Sequence, residues 1–357
     1  MVSPFPPPLH VATFRELRRL LSGGTRRAAG LESDAHPVFR MRRIAVLGLA
    51  LSLTTAAIAS AATPAVAALP GEEMIGHWDI TATGANGRTY PSWLEVKLSG
   101  NRSLVGAFVS AGGSARPISK VTYTGNAFHF AIPPQWEGGD GDLTVDGTFA
   151  DNKISGSITE PNGAKATFTG VRAPSLERSG TPQWGAPIAL FNGKDLAGWK
   201  ASGANSQWSV VNGILTNAKN GTNLITERTF TDFKLHVEFR VPKNGNSGIY
   251  LRGRHELQVE DSKGMEALST HTGGIYGFLI PNTNAALEAG AWQTYDVTLV
   301  GRLVTVVLNG KTVISMQNIP GITGGALDSN EGEPGPIYLQ GDHTAVEYRK
   351  IVLTPAR

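Results

Sequence analysis

Residues 246–261 read NSGIYLRGRHELQVED. Ile249, Leu251, Leu257 and Val259 alternate with Asn246, Tyr250, Arg252, Glu256 and Gln258 on the two sides of a Gly253 turn. A period of two sends alternate side chains to opposite faces of a sheet. One face of this hairpin therefore gathers two amides, a phenol, a guanidinium and a carboxylate. Amides and phenols bind hydroxyls, a carboxylate moves a proton, and a planar guanidinium holds an oxyanion. The set reads as a site for a polar ligand. Its plain structural alternative is a cross-strand ion pair of Glu256 with Arg252 on a solvated face. Asp261 lies off the Glu256 parity, so it reads either as a turn cap or as a second carboxylate.

The elements that must position this hairpin are strands. Across residues 187–357, short alternating or β-branched runs follow one another, and Asn309-Gly310 marks a hairpin turn between two of them. The run 233–241 places Phe233, Leu235, Val237, Phe239 and Val241 on one face. Segment 274–278 also reads as a strand, and residues 285–289 as one helical turn. About a dozen antiparallel strands in this length suit a two-sheet jelly-roll sandwich. Residues 71–172 form a second all-β region of short strands separated by Asn-Gly and Gly-Asn turns. With the opening Gly76-x-Trp78, it resembles a small lipocalin-like β-barrel. Within it, Trp93 and Trp136 are either sugar-stacking platforms or core aromatics. Residues 173–186, rich in Pro, Ser and Gly, read as a linker.

The front of the chain reads differently. Residues 1–40 are Pro- and Arg-rich without a period and look like an over-extended gene start. Met41 begins a second pattern. Arg42-Arg43 is followed by an apolar run to Ala62 and by Ala65-Val66-Ala67, a small-x-small site. This is the anatomy of a signal peptide over 41–67 and predicts export to the periplasm or the medium. The alternative is a transmembrane anchor over the same run. The leader also explains the charge. Residues 1–67 hold eight of the 32 basic and three of the 29 acidic residues, which leaves 24 against 26 downstream. Without a basic excess, nucleic acid is not an expected partner. The chain has no cysteine, which excludes disulfides, thiol nucleophiles and thiolate metal sites.

From Phe191 onward a series of motifs occurs in order: 191–199 (FNGKDLAGW), Trp208-Ser209-Val210, 246–252 (NSGIYLR), Glu256-Leu257-Gln258-Val259, Thr272-Gly273-Gly274-Ile275-Tyr276-Gly277, Leu308-Asn309-Gly310 and Ile337-Tyr338-Leu339-Gln340. In this order they resemble the domain of unknown function 1080, the 3-keto-disaccharide hydrolase domain, over residues 187–355. Trp292-Gln293 and 348–351 (YRKI) depart from the family's usual Trp-Asn and Phe-Arg-Asn-Ile. The resemblance implies a concanavalin-like jelly roll in an exported protein that cleaves glycosides oxidised to a ketone at C3. Such a ketone makes the C2 proton acidic, so proton abstraction, elimination of the C1 oxygen and hydration would give net hydrolysis.

On that route Glu256 is the expected general base and Arg252 the oxyanion donor. Tyr276 or His343 is the acid, and Asn246, Tyr250, Gln258, Asp261 and Gln340 bind substrate. Each has a duller reading, with Tyr276 packed and His343 a solvated loop histidine. An ordinary glycosidase would instead pair Glu256 with Asp261 or Glu260. The route needs neither metal nor nicotinamide. Glu256, Asp261 and His343 are the groups a divalent metal would use, but there is no HExxH and no EF-hand loop. A non-catalytic carbohydrate-binding jelly roll is the alternative to an enzyme.

Overall fold

The computed structural model describes residues 69–357, which lie in one compact unit. The readings of residues 1–40 and 41–67 fall outside the described residues. Eight antiparallel strands come first: β1 (Gly76–Gly84), β2 (Thr89–Ser99), β3 (Ser103–Val109), β4 (Arg116–Thr124), β5 (Ala127–Ile132), β6 (Leu143–Ala150), β7 (Lys153–Thr159) and β8 (Lys165–Arg172). Each pairs with the next, and β8 returns to β1, closing an up-and-down barrel. Closure removes free sheet edges. The barrel interior follows from alternation: in β8, Ala166 and Phe168 are buried while Lys165, Thr167 and Thr169 are exposed. Large and small residues interlock, with the Phe128 ring over Gly147 directly across the β5–β6 pair. A short 3-10 turn (Glu72–Met74) plugs one end, where Met74 accepts a 2.9 Å hydrogen bond from the Trp78 indole.

The second half is a two-sheet jelly-roll sandwich. One sheet has five strands in the order β10 (Trp199–Ala201), β13 (Leu224–Thr226), β20 (Tyr338–Leu339), β15 (Asn246–Leu251) and β16 (His255–Glu260). The other runs β11 (Trp208–Val211), β12 (Ile214–Asn217), β21 (Val346–Pro355), β14 (Phe233–Arg240), β17 (Gln293–Val300), β18 (Leu303–Leu308) and β19 (Lys311–Asn318), with β9 (Ile188–Ala189) on β21. Phe233, Leu235, Val237 and Phe239 of β14 meet Ile249, Leu251, Leu257 and Val259 of the β15–β16 hairpin in the core between the sheets. The outer face of the five-stranded sheet is then left to the polar residues of the hairpin.

Segment 274–278 is not a strand. Ile275 and Leu279 exchange backbone hydrogen bonds at 3.2 and 3.0 Å, and Gly273 and Gly277 take φ of 97° and 71°, so the chain curls into a tight loop. Residues 285–289 form no helical turn; Leu287 N–H donates to the Gln293 side chain instead.

Simple alternation fails in β2, where Ser92, Trp93 and Leu94 are all buried. Leu94 faces the barrel interior, while Trp93 lies outside it in a seam with Val109, Ile322 and Ala326. Phe278 of the curled loop meets the Trp93 ring edge-on at 5.1 Å. Barrel and sandwich are thus joined by a packed apolar seam, and the Trp93 reading resolves as core. Replacing Trp93 with Ala should lower stability in chemical denaturation by about 3–5 kcal/mol, the usual cost of emptying a buried indole site. A loss below about 1 kcal/mol, typical of surface changes, would show that the seam is not a packed core.

Candidate active site

The β15–β16 hairpin pairs Tyr250 with Glu256, Gly248 with Gln258 and Asn246 with Glu260. All six residues share one face, and that face is largely covered. Tyr250, Glu256 and Gln258 are 1%, 5% and 2% exposed. They border a cavity of about 160 Å³ together with Tyr276, Tyr338, Gln340 and the Asp342–His343 loop. Gly112 and Gly113 of the barrel border one side, and Gly324 and Gly325 another.

Glu256 is the most constrained group. Gly248 faces it across the hairpin, and a Cβ there would collide with the Glu256 carboxylate oxygen, so glycine makes the room. Tyr250 Oη lies 3.0 Å from Glu256 Oε2 and 2.9 Å from the Gly324 carbonyl oxygen. The phenol has one proton. If it donates to the carbonyl, which can only accept, Glu256 must supply the proton of the other bond. Burial pushes Glu256 up to about 8, against the pull of His343 and the pull that Tyr250 exerts when its proton is directed at the carboxylate instead. Burial therefore favours the neutral form of Glu256.

At the exposed rim, His343 Nδ1 lies 2.8 Å from Asp342 Oδ1. The hydrogen bond from His343 holds Asp342 below the ordinary carboxylate range, and the same bond raises His343. An ionised Asp342 accepts the Nδ1 proton, which leaves Nε2 of the neutral ring as the reactive nitrogen. Tyr276, half-buried on the curled loop, is raised mainly by burial and keeps its proton.

The amides are equally directed. Gln258 Nε2 donates to Asn246 Oδ1 at 3.1 Å. The Oε1 atoms of Gln258 and Gln340 are buried without a hydrogen-bond partner. Two unpaired acceptors beside a cavity suit the hydroxyl donors of a sugar. Tyr250 and Tyr338 stack at 4.2 Å and form an aromatic floor.

The structure separates Arg252 and Asp261 from this group. Arg252 sits in the hairpin turn with φ of 53°, so the strand alternation no longer governs its side chain. Its Nη2 donates to the Gly301 carbonyl at 2.8 Å and approaches His255 Nε2 at 3.2 Å, away from the cavity lining. The parity that placed Arg252 beside Glu256 ends at Leu251. Asp261 accepts the Asn244 N–H at 3.0 Å and caps a turn. Asp342 and Tyr338 were not singled out from the sequence. Tyr338 shares the parity of Gln340 and was readable on that ground. The glycine walls carry no local signal. Among the described residues no three His, Asp or Glu side chains gather so that they could hold a metal ion.

Residues 186–354 match the 3-keto-alpha-glucoside-1,2-lyase-like domain family. All the sandwich residues of the cavity fall inside the matched residues, and the barrel lies outside them. A Bacteroides thetaiotaomicron protein named 3-keto-disaccharide hydrolase is 30% identical over 93 residues, covering 23% of this chain and 32% of the relative. The match thus spans about a third of that relative's length. A Parabacteroides distasonis crystal structure provisionally named a glycosyl hydrolase is 29% identical, covering 50% of this chain and 92% of that one at a TM-score of 0.41. A Bacillus licheniformis β-glucanase is 13% identical and covers 50% of this chain and all of its own, at a TM-score of 0.32.

The state of Glu256 has a thermodynamic signature. In the unfolded chain it loses its proton near 4.5, whereas in the folded chain it is pushed up to about 8. Between these values the native state binds more proton, so this group's contribution to stability falls as pH rises and levels off above about 8. Glu256→Gln removes the dependence. Denaturation across this window should show the variant gaining on the parent as pH rises; parallel curves would mean that Glu256 titrates normally.

Proposed function

We propose that the protein is an exported enzyme that cleaves 3-keto-glycosides by elimination and hydration at the Glu256 cavity. The observation that carries the reading is the buried carboxyl of Glu256, bordering the cavity and bonded to Tyr250 beside the Gly324 carbonyl, in a setting whose burial favours its neutral form. A pure binding surface gains nothing from a carboxyl kept protonated at neutral pH, while proton transfer to a leaving oxygen requires one. The family match supports the substrate class. The leader read at 41–67 supports export.

The sequence reading cast Glu256 as base. Its environment favours the acid role, with His343 as base oriented by Asp342. His343 Nε2 removes the C2 proton, and the electron pair passes to the C3 carbonyl as an enolate, beside which the Tyr276 hydroxyl can donate. The enolate then collapses to restore the ketone, C1=C2 forms, and the C1–O bond breaks with its electrons on the leaving oxygen. That oxygen takes the Glu256 proton. Water adding across C1=C2 releases the 3-keto sugar. Gln258 and Gln340 accept the ring hydroxyls.

A second reading rests on the same cavity. Glu256 and Asp342 both border it, and their environments push them in opposite directions, one up and one down. Such a pair is also the pattern of an ordinary two-carboxylate glycosidase. The two readings separate on substrate. Sugar release should occur from a 3-keto-disaccharide and not from its unoxidised parent, with kcat/KM falling above about pH 8 as Glu256 loses its proton. Glu256→Gln should cut kcat roughly a hundred- to ten-thousand-fold, the usual worth of a positioned acid. Turnover of the plain disaccharide would favour the glycosidase, and a rate that rises through pH 8 would return Glu256 to the base role. Sugar binding without release from either substrate would leave a binding module.

A further inference from the structure

The barrel has a cavity of its own, about 460 Å³, bordered by Tyr90, Ser110, Ala111, Trp136, Glu137 and Glu160 among others. Pockets that bury a whole small-molecule ligand run to about 300–1,000 Å³. The barrel cavity falls in that range, and the Glu256 cavity, at about 160 Å³, falls below it. A disaccharide held at Glu256 therefore needs a second place for its other half.

The two cavities share a wall. It is the loop after β3: Ser110 and Ala111 border the barrel cavity, and Gly112 and Gly113 border the Glu256 cavity. Trp136 rests on this wall. A Cβ at Gly112 would lie 3.1 Å from its Cζ2, and one at Gly113 would collide with its Nε1. The indole nevertheless remains 56% exposed, whereas Trp78, Trp93, Trp199 and Trp208 are buried.

Its setting is rigid. Glu137 Oε2 accepts the backbone N–H groups of Gln135 and Trp136, both at 2.9 Å, while Oε1 pairs with Arg116 at 2.7 Å. Gln135 Nε2 donates to Ser114 Oγ at 2.6 Å and ties the two loops together. Opposite the indole, Glu160 Oε1 accepts from Ser110 Oγ at 2.8 Å, and Oε2 is buried with no partner. A fixed aromatic face beside an unpaired acceptor is what a pyranose ring needs, since its C–H face stacks and its hydroxyls donate.

We propose that the barrel mouth is a sugar subsite that holds the leaving-group half of the substrate, with Trp136 as the stacking platform and Glu160 as a hydroxyl acceptor. The proposal rests on the glycoside-cleaving reading of the Glu256 cavity. It gives the barrel, which lies outside the matched domain, a part in choosing substrate.

The test compares Trp136→Ala, Trp136→Phe and the parent chain on two substrates, a 3-keto-disaccharide and methyl 3-keto-glucoside, whose leaving group is too small to reach the subsite. Trp136→Ala should raise KM about tenfold for the disaccharide, the scale of one lost aromatic contact, and leave kcat and the methyl substrate unchanged. Trp136→Phe should recover most of the loss. Equal effects on both substrates, or none, with the parent active, would overturn the subsite while leaving the proposed function standing. If the parent cleaves neither substrate, the proposed function fails, and titration calorimetry with the unoxidised disaccharide decides the subsite alone. Binding that weakens in Trp136→Ala keeps it, and binding unchanged by the substitution, or absent, removes it.

Discussion

A sheet face rich in polar side chains usually meets water; here it meets backbone. The outer face of β15–β16 is covered by loops that lean on the barrel, and the contact depends on glycine. A Cβ at Gly324 would collide with the Gly113 carbonyl oxygen, and one at Gly277 would lie 2.7 Å from the Ala115 nitrogen. Gly325 N–H completes the contact with a 3.3 Å hydrogen bond to the Ala111 carbonyl. The loops pressed in this way are the ones that carry Tyr276 and present the Gly324 carbonyl to Tyr250. Desolvation is the largest cause of the upward shift of Glu256, so the acidity of the site is set by a contact between two halves of the chain. A sandwich of the same sequence without that cover would place Glu256 nearer water and nearer an ordinary carboxylate.

The far end of the hairpin has its own anchor, and it explains why Arg252 leaves the site. His255 is fully buried and held neutral by that burial. Its Nδ1 donates to the Gly321 carbonyl at 3.1 Å, and its Nε2 faces Arg252 Nη2. Glu331, also fully buried, pairs with Arg302 at 2.6 Å, and Arg254 pairs with Asp328 at 2.7 Å. Burial raises both Glu331 and Asp79 of the barrel; the Asp79 charge raises Glu331 further, while the Glu331 backbone N–H opposes the rise of Asp79. Buried ion pairs seldom add net stability, because desolvation offsets the attraction. What this cluster does is fix orientation. It pins the Arg252–Arg254 turn to the β17–β18 turn at Gly301 and to the segment 320–333, which continues into the Gly324 wall. The guanidinium expected at the site from sequence instead holds the turn from which the polar face extends.

Alternation carried much of the reading from sequence. It is a local property, and it placed Tyr250, Glu256 and Gln258 on one face and their apolar neighbours in the core, because both strands are regular from 246 to 251 and from 255 to 260. It failed where the backbone leaves the β region. Arg252 takes φ of 53°, and residues 274–278 curl between two glycines of positive φ. Tyr276 and Gln340 lie in motifs of the resemblance and His343 in none of them, and no period could place any of the three, since each lies on a loop or beside a two-residue strand. The barrel's share of the site was not readable at all. Gly112 and Gly113 meet Gly324 across more than 200 residues of chain, and nothing in a Gly-Gly pair says which surface it will touch. Trp93 and Trp136 were equivalent in sequence and are opposites in the fold, one in the seam and the other exposed at the cavity rim.

The choice between the two chemistries turns on what Asp342 is free to do. As a nucleophile or as a base toward water, it would need an unencumbered oxygen aimed at the anomeric carbon. Its Oδ1 is engaged by His343, and that hydrogen bond, rather than a neighbouring cation in the core, is the first cause of its low pKa. A carboxylate that orients an imidazole passes reactivity to the ring nitrogen, as in other His–Asp pairs. The carboxylates considered as partners of Glu256 from sequence do not border its cavity. Asp261 caps the turn at Asn244, and Glu260, half-buried at the strand end, faces His271 at 3.9 Å. One buried carboxyl raised by desolvation and one oriented imidazole at the cavity rim remain. That pairing suits a substrate already activated beside its anomeric carbon better than one whose glycosidic bond must be broken by carboxylates alone.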